Sequence, residues 1–289
     1  MLCTIGDLIE DVVVWLADEP NHASDTTARI SRTRGGSAAN VASFSAAAFG
    51  SSRFVGQVGD DHLADQLVDQ LAAGGVDVCV QKEGRTGSIV VLVHPDGERT
   101  MLSDRGACTQ LTAFPRDGFD GISALHVPTY SLTVDPLATV AIGAIGEALA
   151  RGIVVSIDAS STSVLNDFGI GAYRKLIAQL TPDVFMCNGD EADLLGLSPS
   201  SPIEGAHLTI IKRGAQPTVA VTWDRITTQL DVPTASKPTD TTGAGDAFAA
   251  GFIGSITANG DVVSALAAGH ELAARVLNTP GATLEDTKR

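Results

Sequence analysis

Short apolar runs alternate with helix-period apolar patterns along most of this 289-residue chain, and that alternation restricts the fold more than any other feature. Parallel neighbours need a crossover of a dozen or more residues between them, whereas antiparallel ones need only a turn. The pattern therefore predicts an α/β fold, a mainly parallel central sheet with helices on both faces. Strands are expected at 2–5, 53–58, 122–127, 153–157, 184–187 and 208–212. Helices are expected at 38–49, 61–73, 137–150, 173–180 and 191–195, with two more at 244–257 and 261–277. The length suits a single domain spanning 1–289, and 44% hydrophobic residues suffice for a large core.

Two segments break the rhythm. Residues 11–15 and 28–32 are short extended runs, and 88–94 and 99–103 flank Pro95-Asp96-Gly97, a turn signal. Four short strands without intervening helices predict a small second sheet, formed by about 11–34 and 86–104. It reads as a lid over the mouth of the main sheet, or else as an ornament at the domain edge.

The strongest motif is Asp240-Thr241-Thr242-Gly243-Ala244-Gly245-Asp246-Ala247-Phe248. Glycines around one alanine, followed by an apolar run at helical spacing, predict a turn feeding a helix N-terminus. Amides of Gly243, Ala244 and Gly245 would carry the positive end of the helix dipole and suit a phosphate. Asp246 would repel that phosphate unless it has its own task. The economical one is to take the proton of an attacking hydroxyl. An ordinary glycine-rich turn is the plainer alternative.

Arg34-Gly35-Gly36-Ser37-Ala38-Ala39-Asn40 is the second signal. Adjacent glycines before an Ala/Ser-rich helix imply that something approaches the backbone closely. Asn40 offers a donor and an acceptor to a polyol, or acts as a local cap. Asp11, near the end of the first strand, lies where open sheets bind ligands, though it also fits a surface turn. Asn188-Gly189-Asp190-Glu191 suits a Mg²⁺–water–phosphate network or a plain helix cap. Lys212-Arg213-Gly214 would place a cation and backbone donors near a nucleotide, or form an exposed turn.

The formal charge of −15 argues against nucleic acid and anionic membranes as partners. No apolar segment reaches spanning length. Cys3, Cys79, Cys108 and Cys187 stand far apart and read as free thiols, so a cytoplasmic protein is expected. The chain has no P-loop. Phe248 occupies the third glycine position of a dinucleotide fingerprint, no nucleophile elbow surrounds Ser37, and the histidines form no metal pattern.

Taken together, Gly6…Asp11, Gly35-Gly36…Asn40, Val55-Gly56…Gly59-Asp60, the hairpin, Asn188…Glu191 and the 240–246 string resemble the ribokinase-like, or PfkB, family of carbohydrate kinases. The resemblance covers almost the whole chain. It implies ATP-dependent transfer of the γ-phosphoryl group to a primary hydroxyl of a small carbohydrate, with Asp246 as base and 243–245 as anion hole. It further implies that Asp11, Gly35, Gly36 and Asn40 hold the sugar, that Asn188, Lys212, Gly214 and His270 meet ATP, and that Glu191 reaches Mg²⁺ through water. Asp240 and Thr242 resemble part of a potassium site, which makes K⁺ a candidate activator. Family members often pair through their lid strands, so a homodimer is among the expected partners.

Departures blur the substrate. Ile9 and Ser37 stand where ribokinase proper has asparagine and lysine. Arg105, just past the hairpin, fits a sugar-acid (2-keto-3-deoxygluconate-like) substrate or a plain ion pair. A nucleoside kinase of the same family and a non-catalytic sugar-binding regulator are the rival readings.

Overall fold

The computed structural model describes residues 1–95, 98–233 and 242–277. In chain order its strands are β1 (Leu2–Ile5), β2 (Ile9–Leu16), β3 (Ala28–Gly35), β4 (Ser52–Val58), β5 (Val76–Lys82), β6 (Thr86–Val93), β7 (Arg99–Gly106), β8 (Ala124–Pro128), β9 (Val154–Asp158), β10 (Val184–Asn188), β11 (Leu208–Arg213), β12 (Gln216–Thr222) and β13 (Thr227–Leu230). Its helices are α1 (Ser37–Phe49), α2 (His62–Ala73), α3 (Leu137–Ala150), α4 (Thr162–Phe168), α5 (Ile170–Leu180), α6 (Gly189–Leu195), α7 (Ala244–Asn259) and α8 (Val262–Leu277).

The main sheet has nine strands in the order β13-β12-β11-β10-β9-β8-β1-β4-β5. It is parallel from β5 to β11; β12 pairs antiparallel with β11 and β13 antiparallel with β12, so among the described strands β12 alone runs against the rest. Val155, Ile157, Phe185, Cys187 and Ile211 point into one buried cluster with α3, α5 and α6. Met186, Ile210 and Ala220 point into the other, with α1, α7 and α8. Strands buried on both faces read as continuous apolar runs, which explains why they stand out in the sequence.

Helix α1 packs closely because alanines 38, 39, 42 and 46 make up half of its eight buried residues. Thr4 at the sheet centre donates its hydroxyl to the Ala38 carbonyl at 2.9 Å. Helices α7 and α8 touch at glycines. A Cβ on Gly251 would lie 2.5 Å from the Ala268 carbonyl oxygen, and one on Gly269 would lie 2.8 Å from the Phe248 ring. That closeness carries His270 into contact with the Phe248 ring, centroids 5.5 Å apart.

The small sheet has the order β3-β2-β6-β7. β2 pairs with β6 in parallel, while both outer pairs are antiparallel. It spans somewhat more than the expected 11–34 and 86–104. The expected turn at Pro95-Asp96-Gly97 falls partly outside the described residues, but His94 N donates to Glu98 O at 2.8 Å across it.

Three strands and one helix escape the sequence pattern. Val76–Lys82 is a half-exposed edge strand. Gln216–Thr222 carries Pro217 at its start, a residue that argues against a strand interior. Thr227–Leu230 is polar, and α4 is only seven residues long. Among the described residues no helix is long and apolar enough to cross a membrane. The four cysteines are free, and burial holds the thiols of Cys3, Cys108 and Cys187 well above the ordinary thiol range.

Candidate active site at the strand ends

Parallel register places three polar groups on one edge of the main sheet. Asp158 ends β9 and lies opposite Met186, while Asn188 ends β10 opposite Lys212. Lys212 Nζ meets Asp158 Oδ2 at 2.7 Å, both side chains mostly buried. Burial disfavours the Lys212 ammonium, but the charge and hydrogen bond of Asp158, with Glu191 nearby, overcome it and hold the lysine above its ordinary value. The same Nζ would lie 3.6 Å from a Cβ on Gly245, so the cation sits at the mouth of α7.

That mouth has the expected geometry. Gly243 caps α7 at φ +77° with no side-chain cap. The first intrahelical bond is Ala247 N to Gly243 O at 2.8 Å. The amides of Gly243, Ala244 and Gly245 all precede it and lie at the positive end of the dipole.

Asp246, one turn into the helix, is held from the opposite corner. Ser37 Oγ donates to its Oδ1 at 2.7 Å, and Asn40 Nδ2 donates to its Oδ2 at 3.0 Å. Burial pushes the Asp246 carboxyl up to about 6; the Ser37 and Asn40 bonds pull against this, and Asp158 adds to it. The two glycine-rich motifs, far apart in sequence, thus meet at one carboxylate.

Around it opens a cavity of about 800 Å³. Asn188, Glu191, Lys212, Gly214, residues 243–246 and His270 all line it. Asn188 and Glu191 also form a complete capping box. Asn188 Oδ1 accepts from Glu191 N at 2.9 Å, and Glu191 Oε2 accepts from Asn188 N at 2.8 Å. The plain helix cap is thus present, and the capping residues also line the cavity wall. Glu191 is buried, and burial together with Asp158 raises its carboxyl well above the usual range. His270 accepts or donates at Nε2 with Thr218 Oγ1, 2.9 Å away, and among the described residues its buried Nδ1 has no partner.

The Gly35-Gly36 corner, whose neighbours Ser37 and Asn40 hold Asp246, does not line this cavity. Gly36 caps α1 at φ +99°, and any Cβ there would overlap the Asp7 carbonyl. A Cβ on Gly35 would overlap the Asp11 carboxylate. What approaches the glycine pair is therefore the chain itself, at Asp7 and Asp11. Burial pushes Asp11 up to about 6, with Arg34 opposing and Asp246 reinforcing.

Arg105 forks onto Asp7 through Nε and Nη2 at 2.7 and 2.8 Å, so its guanidinium is ion-paired. Thr242 accepts from Arg99 of β7 at 2.6 Å, and Asp240 lies outside the described residues. Among the described residues no three His, Cys, Asp or Glu side chains converge as a metal cluster.

Sequence reasoning misses Asp158, Ser37, Thr218 and Arg34. Asp158 has a readable signal, a carboxylate closing a buried strand, but its partner Lys212 is 54 residues on. Ser37 is flanked by the right glycines, yet only the fold brings it to Asp246.

The model of the pfkB family of carbohydrate kinases matches residues 1–288. An ATP-dependent ribose-1-phosphate kinase from Halopiger xanaduensis is 30% identical over 273 residues, covering 90% of this chain and 86% of that one. A fructokinase from Salmonella typhimurium is 29% identical, covering 89% and 84%. An adenosine kinase from Saccharomyces cerevisiae is 28% identical, covering 88% and 80%. Among solved structures, adenosine kinase from Sinorhizobium meliloti superposes with TM-score 0.86 at 22% identity over 99% of this chain and 96% of that one. A putative ribokinase II from E. coli in complex with ATP and Mg²⁺ gives 0.81 at 21% over 97% and 94%. A match that runs from the first residue to the last but one, over a fold that these kinases share, settles the assignment: the chain belongs to the pfkB family of carbohydrate kinases, enzymes that transfer a phosphoryl group to an alcohol.

Proposed function

We propose that the protein uses ATP to phosphorylate a primary hydroxyl of a small carbohydrate, with Asp246 as general base. The observation that carries this reading is the position of Asp246. Its carboxylate stands between a nucleotide-sized cavity and the Gly35-Gly36 corner, beside amides that precede the α7 ladder.

The cavity suits ATP. Phe248, His270 and Leu277 offer a largely apolar wall for a base, while Lys212 and the 243–245 amides offer positive charge for phosphates. A magnesium ion, when bound, would supply positive charge to offset that developing on the phosphates. It usually keeps several waters, and Glu191, in the cavity wall, would hold it through one.

The acceptor hydroxyl, held by Asp11 and Asn40, gives its proton to an Asp246 oxygen as its own oxygen bonds to the γ-phosphorus. The bond from that phosphorus to the bridging oxygen breaks, and ADP leaves with the electron pair. The amides of Gly243, Ala244 and Gly245 stabilise charge on the transferred group. Such preorganised donors work best where water is excluded.

A nucleoside acceptor is the second reading, favoured by the similarity to the yeast adenosine kinase. A sugar acid finds less support, because Arg105 would have to leave Asp7 to grip it. Activation by K⁺ near Thr242 belongs to the same proposal, and equal rates in potassium and in a bulky organic cation would remove it.

The deciding experiment couples ATP consumption to a panel of pentoses, hexoses, sugar acids, sugar phosphates and nucleosides. A neutral sugar is expected to give the highest kcat/KM. No turnover on any member would favour a non-catalytic sugar-binding protein.

A further inference from the structure

We propose that Arg34 is the positioning residue for the catalytic carboxylate: it fixes which end of the Asn40 side chain faces Asp246. The inference rests on the base reading of Asp246 and adds a residue to it. Arg34 lies next to the end of β3, and its Nη1 donates to Asn40 Oδ1 at 3.0 Å. Asn40, buried on α1, then donates through Nδ2 to Asp246 Oδ2 at 3.0 Å. Three side chains form a directed relay from a cation to the base.

The direction is what Arg34 supplies. The two ends of an asparagine amide are nearly the same shape, and partners decide which way it turns. A guanidinium has donors only, so it accepts nothing but the oxygen end. With Oδ1 held by Arg34, the nitrogen end must face Asp246. Turned the other way, Oδ1 would set a lone pair against the carboxylate. Ser37 cannot substitute for this control, because its hydroxyl rotates and donates or accepts as needed.

The relay also polarises the bond it directs. A charged donor on Oδ1 makes Nδ2–H a better donor, and chained hydrogen bonds strengthen one another in a low-dielectric site. The stronger bond favours the ionised carboxylate that accepts the proton. The other groups facing Asp246 are Asp158 from β9, Lys212 from β11, Asp11 from β2 and the Tyr130 hydroxyl. Arg34 itself is half-buried beside Asp11 and Asp246, and both carboxylates favour its charge.

The test reads Asp246 directly and needs no known acceptor. In protein carrying ¹³C-labelled aspartate, the Asp246 carboxyl resonance is identified by its loss in Asp246→Asn and titrated with pH. Its midpoint is expected near 6 in the native protein. Arg34→Met, close in volume but without donors, should raise that midpoint by about one unit, the size expected for one weakened charge-assisted bond. Arg34→Lys should restore most of it.

In an Asn40→Ala background, Arg34→Met should shift the midpoint by well under half as much. An unchanged midpoint in Arg34→Met, or an equal shift with Asn40 absent, overturns the relay. If Arg34→Met does not fold, Arg34→Gln and Arg34→Lys carry the comparison. Inactivity of the native protein on every acceptor would strike the kinase reading alone and leave this measurement intact.

Discussion

As the proposed base, Asp246 would face opposed demands, because burial favours its neutral form while proton abstraction needs the ionised one. With the carboxyl pushed up to about 6, kcat/KM should fall on an acid limb near that pH, about tenfold per unit below it. Asp11 titrates in the same range, so Asp11→Asn should leave a limb with the steepness of one proton. Asp246→Asn should lower kcat by roughly 10² to 10⁴ while ATP still binds.

The same substitution should stabilise the fold. A carboxyl raised from 3.8 to about 6 binds its proton more tightly in the folded state, so the folded chain holds the ionised form at a cost of about 3 kcal/mol. That cost is absent below 3.8, grows as pH rises, and is complete above 6. Urea unfolding should therefore find Asp246→Asn more stable than the native protein at pH 8 and equal to it near pH 3.5. A variant less stable at both pH values would sink the argument. Asp246 is legible in the sequence because the helix N-terminus before it is a glycine-capped backbone turn, and its glycine spacing betrays it. Arg34 is not, because its role exists only through Asn40.

At the scale of elements, the site depends on how strands and helices end. Gly36 joins β3 to α1 at φ +99° against the Asp7 carbonyl, so Gly36→Ala meets both strain and overlap. We expect a loss of about 3 kcal/mol or more, seen as a lower Tm and little soluble protein. The β9–β11 edge makes a different prediction. Lys212→Met strips the cation from Asp158 and from Glu191, and breaking a buried pair typically costs about 3–5 kcal/mol.

Lys212→Met/Asp158→Asn should recover part of that loss in unfolding experiments, because the second change removes the stranded charge. Additive losses would mean that the pair is not coupled. Elements with strong patterns, such as the buried strands and α3, are visible from sequence alone. The Asp158–Lys212 pair is not, because strand order, which no local pattern encodes, decides that β9 and β11 flank β10.

At the scale of the whole molecule, the small sheet is joined to the body in a way that predicts motion. Each of the four chain crossings meets the small sheet at or near a glycine at positive φ: Gly6 at +152°, Gly36 at +99°, Gly84 at +85° and Gly106 at +49°. Among the described residues, none of the buried apolar clusters draws on β2, β3, β6 or β7. Polar contacts hold the sheet instead. Arg105 grips Asp7, Thr86 donates to Asp61 through N and Oγ1 at 2.8 and 2.6 Å, and Arg99 reaches Thr242 beside the α7 N-terminus.

Such contacts rearrange at smaller cost than a packed core, which suits a lid that closes over acceptor and excludes water. Amide exchange in 86–93 and 99–106 should slow several-fold when acceptor binds, while β8 to β11 stay unchanged. Gly84 allows a cleaner test, since the nearest atom to an added Cβ is the Ala107 Cβ at 3.9 Å. Gly84→Ala therefore strains the crossing through φ alone, at about 1 kcal/mol. It should change kcat and KM together by a few-fold, the signature of an altered closing step. Unaltered kinetics, with exchange in the hairpin indifferent to a true acceptor, would make the small sheet a fixed wall.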